Sequence, residues 1–91
     1  MELQDFSAQL KQDGFDEVVT VTREPNGFLD THTHPFEAKA LIVRGELRLQ
    51  AGDAEQVYRA GDVFHLTANE PHAEWYGAQG VDYVVGRRPG S

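Results

Sequence analysis

The sequence predicts an all-β fold, a small antiparallel β-barrel of the jelly-roll type, preceded by one short N-terminal helix. Three observations predict it. Short apolar runs rich in β-branched and aromatic residues recur from Asp16 to the end of the chain, glycine-containing turns separate them, and no stretch beyond residue 12 keeps a helical period. Many short strands at close spacing are the mark of a sandwich or small barrel. At 91 residues the chain reads as a single domain, with the helix over about 2–12 and the barrel over about 16–88. A domain of this size buries a small core, so a bound metal or a second subunit would add useful stability.

The helix is predicted from Leu3, Phe6 and Leu10, spaced to share one face, with Gly14 as its stop. The β-rich segment Asp16–Arg23 follows, closed by the turn Pro25-Asn26-Gly27. Further strands are expected at Phe28–His34, Phe36–Val43, Glu46–Gln50, Glu55–Tyr58, Val63–Leu66, His72–Tyr76 and Val81–Arg87. Arg44-Gly45, Ala51–Asp53, Ala60–Asp62, Ala68–Pro71 and Gly77–Gly80 punctuate them. The tail Arg88–Ser91 is expected to fray, and Arg87 and Arg88 to form a solvated end.

Composition excludes several classes. There is no cysteine, which removes disulfides, thiolate metal sites and cysteine nucleophiles together and suits a cytoplasmic location. The formal net charge of −7 speaks against nucleic acid or an anionic membrane as partner, because such proteins carry basic patches. No run approaches the about 18 apolar residues of a membrane-spanning helix. Met1–Asp5 lacks the basic flank and apolar run of a signal peptide.

Three of the four histidines fall in two local patterns. In His32-Thr33-His34 the rings are two residues apart, so on a strand they share a face, about 6.5–7 Å apart along the backbone. Both can reach one ion at about 2.0–2.1 Å from a ring nitrogen. An isolated His-x-His is more often a pair of surface side chains on a polar edge. His72 lies far along the chain at the start of a strand, and a barrel can bring it to the same interior as a third ligand, leaving other positions of an ion open.

The run Gly27-Phe-Leu-Asp-Thr-His32-Thr-His34-Pro-Phe-Glu37, closed by Gly45, resembles the first sequence motif of the cupin family, and Gly61-Asp62 to Pro71-His72 resembles the second. The resemblance covers roughly residues 27–87. It implies a barrel holding one divalent transition metal (iron, manganese, nickel, zinc or copper) on His32, His34, His72 and the first motif's glutamate, here Glu37. The sequence departs from the pattern in three ways. Glu37 follows His34 more closely than the family's glutamate does, and Ala38 and Lys39 hold the usual positions. Thr67 and Asn69 replace the second motif's internal proline and glycine, and Tyr76 replaces its final asparagine. By strict alternation Glu37 points away from the histidines. A bulge at Pro35 would turn it inward, and otherwise it faces solvent beside Lys39.

Glu74 shares the parity of His72 and is the rival carboxylate: a fourth ligand, a partner to an imidazole, a general base, or a rim group. Phe36 and Tyr76 are candidate substrate-binding side chains, and His65 is read as structural. Apolar residues on both faces of Phe36–Val43 predict a central strand, covered on one side by the opposite sheet and on the other by a neighbour or a dimer partner. Trp75, pointing outward when His72 and Glu74 point in, predicts a homodimer interface. The expected partner is otherwise a small-molecule ligand or substrate. Two functions fit: a metal-dependent enzyme of the oxygenase, isomerase or lyase kind, or a non-catalytic metal- or metabolite-binding module.

Overall fold

The computed structural model describes residues 1–89. One helix, α1 (Leu3–Gln12), precedes six strands: β1 (Glu17–Arg23), β2 (Phe28–His32), β3 (Phe36–Ala51), β4 (Ala54–Arg59), β5 (Val63–Leu66) and β6 (His72–Pro89). Every pairing is antiparallel: β6 takes β1, β2 and β3, and β3 also takes β4 and β5. The all-β class with one N-terminal helix is therefore as the sequence predicts. Gly90 and Ser91, part of the expected frayed tail, lie outside the described residues, whereas Arg88 and Pro89 close β6.

Two expected breaks between strands are absent, and for one reason. Phe36–Val43 and Glu46–Gln50 are a single strand, β3, and His72–Tyr76 and Val81–Arg87 are a single strand, β6. The glycines between them do not end the strands; they reset the alternation. Before Gly45 the inward residues are Ala38, Ala40 and Ile42, and after it they are Leu47 and Leu49. Before Gly80 the inward residue is Tyr76, and after it Val81, Tyr83 and Val85. The β3–β6 register slips between Ile42 and Arg44 and again between Gly45 and Leu47, as a bulge requires. Gly45 and Gly80 have φ of +82° and +74°, and a Cβ on Gly45 would lie 2.0 Å from the Gly80 carbonyl oxygen. Only glycine fits there.

The core has two parts. Inside the barrel, Ile42, Leu47, Phe64, Tyr83 and Val85 pack together. On the outer face of β3, Leu41 packs against Phe6 and Leu10 of α1 and Phe15 beyond it. The second cover expected for the central strand is thus α1 itself. The helix ends as Gly14 predicts: Phe15 N–H donates to the Leu10 carbonyl at 2.9 Å and Gly14 N–H to that of Lys11 at 3.3 Å, with Gly14 at φ +82°. This double bond caps the helix and sets Phe15 on Leu10. Trp75 is half-buried, lying 5.1 Å from the Phe28 ring and 4.8 Å under the Arg48 guanidinium, so its outer face is partly covered from within. Among the described residues no helix is long and apolar enough to cross a membrane.

Candidate metal centre

His32 and His72 are direct register partners on β2 and β6. Antiparallel neighbours place such side chains close on one face, and the ring centroids stand 4.2 Å apart. His34 lies just past the end of β2, so the pair does not share one regular strand as the spacing predicts. The β5–β6 loop holds it instead: Asn69 N–H donates to the His34 carbonyl at 2.7 Å, with Asn69 at φ +63°. Asparagine tolerates that conformation. The same loop orients His72, whose Nδ1–H donates to the Glu70 carbonyl at 2.9 Å. His32 Nδ1–H donates to the Asp30 carbonyl at 2.7 Å in the same way.

These two bonds fix the tautomer. With Nδ1 protonated, the neutral ring leaves a lone pair on Nε2, and the charged ring turns an Nε2–H toward Glu74. Both Nε2 atoms are buried and have no hydrogen-bond partner. Orphaned buried nitrogens are rare unless something binds them. One ligand atom from each of His32, His34 and His72 lies within 4.8 Å of the others, and the three could hold a metal ion. The donor set therefore fits a divalent transition metal.

Glu74 is 6% exposed and completes the group. Its Oε2 lies 3.3 Å from His32 Nε2 and 3.4 Å from His72 Nε2. Burial opposes its charge, yet His72 and His32 outweigh that and hold its pKa below the usual value. Burial likewise opposes the charge on His72, but Glu74 and the Glu70 carbonyl raise its pKa overall. His34 goes the other way: burial, then the neighbouring imidazoles, lower its pKa and favour the neutral ring a metal needs. The Tyr76 hydroxyl donates to Glu74 Oε1 over a long 3.4 Å. Burial and the Glu74 charge push the Tyr76 pKa up, so it stays protonated.

Glu37 stands elsewhere, and here the expected ligand set needs correcting. No bulge at Pro35 turns it inward. Phe36 and Ala38 line the histidine cavity, and Glu37 takes the opposite face with Lys39. There its carboxylate meets His65 and accepts from Arg88 Nε at 2.6 Å. Those two bonds, Arg88 first, hold its pKa below the usual value. His65 is thus tied to Glu37, and Arg88 to Glu37 and to the Asp13 carbonyl at 2.6 Å. Neither that arginine nor Arg87 is a free solvated end.

The histidines open onto a cavity of about 70 Å³. Phe36 lines it, stacked on His34 at 4.9 Å, and Phe64, Tyr83 and Glu74 complete much of the wall. Tyr76 sits behind Glu74 in the core and outside that wall. Sequence reasoning missed Arg23 and Arg87, which also line the cavity. The signal was available in parity: Arg23 follows the inward Val19 and Val21, and Arg87 follows the inward Tyr83 and Val85. Larger surface hollows of about 470 Å³ exist, but among the described residues only the three histidines form a candidate metal group.

The structure is similar to solved cupin barrels. A protein of unknown function from Rhizobium leguminosarum matches with a TM-score of 0.76 at 14% identity, over 79% of this chain and 68% of that one. An RmlC-like cupin from Shewanella frigidimarina matches at 0.67 and 18% identity, over 77% and 63%. A Bacillus subtilis oxalate decarboxylase variant matches at 0.73 and 17% identity, over 89% of this chain but only 24% of that one. At such identities the likeness speaks for the fold alone, and no curated protein matches by sequence. The family model for the cupin domain matches residues 19–76, well over half of the chain, and the protein belongs to the cupin family.

Proposed function

We propose that this cupin binds one divalent transition metal on His32, His34 and His72 and acts on a small molecule that enters the adjoining cavity. The observation that carries the reading is the pair of buried Nε2 atoms without a hydrogen-bond partner, in a group of three imidazoles whose ligand atoms lie within 4.8 Å of one another. A divalent metal supplies Lewis acidity when bound there, with positions left open by a three-imidazole set. The chain's own residues do the rest. The Asp30 and Glu70 carbonyls hold two imidazoles in the ligating tautomer. Glu74, kept ionised, stands ready to accept a proton at Oε2 or to serve as the fourth ligand. Tyr76 steadies its other oxygen. Phe36 and Phe64 exclude water from the wall.

Elemental analysis of protein purified without a histidine tag tests the site. We expect close to one equivalent of metal in the wild type and less than a tenth of that in His32→Ala and His72→Ala. Unchanged occupancy in both variants would sink the proposal. The narrowness of the cavity, about 70 Å³ between two phenylalanines, favours a second reading, a metal-bearing module that binds without catalysis. Glu74→Gln, assayed at saturating metal, separates the two. A catalytic site loses turnover while keeping ligand affinity, and a binding module shows no turnover in either form. The homodimer belongs to the same proposal, since Phe28 is 53% exposed beside Trp75, and sedimentation of the wild type against Trp75→Ser tests it.

A further inference from the structure

The cavity carries more positive charge than the three histidines need. Arg23 and Arg87 both line it, and Glu74 is the one acidic residue in its wall. This is unexpected in a chain with a net charge of −7. Every arginine except Arg23, five of the six, holds a carboxylate at 3.2 Å or less. Arg23 ends β1 and has no carboxylate partner among the described residues; its side chain hydrogen-bonds Tyr83. Its charge is felt at Glu74 and Tyr83. Arg87 is half-satisfied. Its terminal NH1 meets Glu17 at 3.2 Å on the outside, and its plane lies 5.1 Å over the Phe36 ring. Its Nε, however, is buried and has no hydrogen-bond partner. Arg87 also acts on His34. The two arginines therefore both line the cavity, and they stand at opposite ends of the β1–β6 ladder, where Arg23 pairs with Val81 and Arg87 with Glu17.

A guanidinium presents a planar fork of donors that matches a carboxylate, and a buried N–H without a partner is a standing penalty that an acceptor relieves. The volume limits the acceptor's size. About 70 Å³ is far below the about 300–1,000 Å³ of sites for drug-sized ligands. From these features we infer that the small molecule is a short carboxylic acid, bound as its anion by Arg23 and Arg87 with its remaining atoms turned toward the three imidazoles. This names the substrate class of the site proposed above and rests on that reading for the metal, but the arginines can be tested with or without it.

The test is an NMR titration of the metal-free and the zinc-loaded protein with propionate, its neutral isostere propionamide and inorganic phosphate, read at the arginine Nε–H signals. We expect propionate to shift the Arg23 and Arg87 signals saturably in at least one of the two forms. Propionamide and phosphate should each bind at least tenfold more weakly. Arg23→Gln and Arg87→Gln should each weaken propionate at least fivefold with the remaining spectrum preserved. No saturable shift in either form, equal binding of propionamide, tighter binding of phosphate, or unchanged affinity in the Arg23→Gln/Arg87→Gln double variant would each overturn the inference. A protein that takes up no zinc contradicts the metal reading alone, because the metal-free titration still decides the anion.

Discussion

Glu74 is a carboxylate inside a barrel, and although burial opposes its charge, the hydrogen bond and charge of His72 and the charge of His32, 3.4 and 3.3 Å away, lower its pKa overall. An unpaired carboxylate in that position would be neutral instead. Removing its charge should therefore be felt by whatever the histidines hold. Glu74→Gln is expected to weaken metal retention about ten- to a hundredfold, the range for groups that support or complete a ligand set, as read by competition with a chelator. Glu37→Gln should leave retention unchanged, because that side chain lies on the opposite face of β3 with His65 and Arg88. Equal losses in the two variants would show that the site has been placed on the wrong carboxylate. Glu37 has a different signature. Arg88 and His65 lower its pKa from 4.5 in the folded state. Its contribution to stability is thus present above the unfolded value and is lost as pH falls through the lower, folded one. Thermal melts between about pH 6 and pH 3 should fall less steeply with acidity in Glu37→Gln than in the wild type.

At the scale of elements, the two long strands β3 and β6 depend on resetting their alternation midway. A side chain at Gly45 would need a positive φ of +82° and would place its Cβ 2.0 Å from the Gly80 oxygen. The conformational part alone is worth about 1–3 kcal/mol. Gly45→Ala is expected to lose at least about 2 kcal/mol by urea denaturation, and a loss below about 0.5 kcal/mol would contradict the paired-bulge account. The helix is a separable matter. Leu10 is fully buried among Phe6, Phe15 and Leu41, so Leu10→Ala should cost about 2–5 kcal/mol. Metal occupancy should nonetheless persist in that variant, since α1 covers the outer face of β3 and the histidines face inward. Loss of metal in a folded Leu10→Ala protein would mean that the two faces are coupled.

For the whole molecule, what could be read from the sequence was whatever depends on local period and on residues near one another in the chain. The helix with its Gly14 stop and strand β5 stand where the pattern put them. The convergence of His32, His34 and His72 is likewise as expected, because two patterned motifs constrain one interior. What escaped was non-local. Glycine at 45 or 80 reads as a turn until the opposing strand shows that it is a bulge against another bulge. Arg87 reads as a loose end until β1 and Phe36 are placed beside it. The cover on β3 reads as either a neighbouring element or a partner subunit until α1 folds back over Leu41. Each depends on which distant segments meet, and alternation on one strand carries no information about that.

Whether one metal sits on these three imidazoles can be seen by following the histidine ring nitrogens in long-range proton–nitrogen NMR spectra while zinc is titrated into the chelator-stripped protein. We expect His32, His34 and His72 to shift together and saturate at one equivalent, with His65 unmoved in its pair with Glu37. Shifts confined to His65, or none that saturate at the other three, would contradict the three-imidazole site.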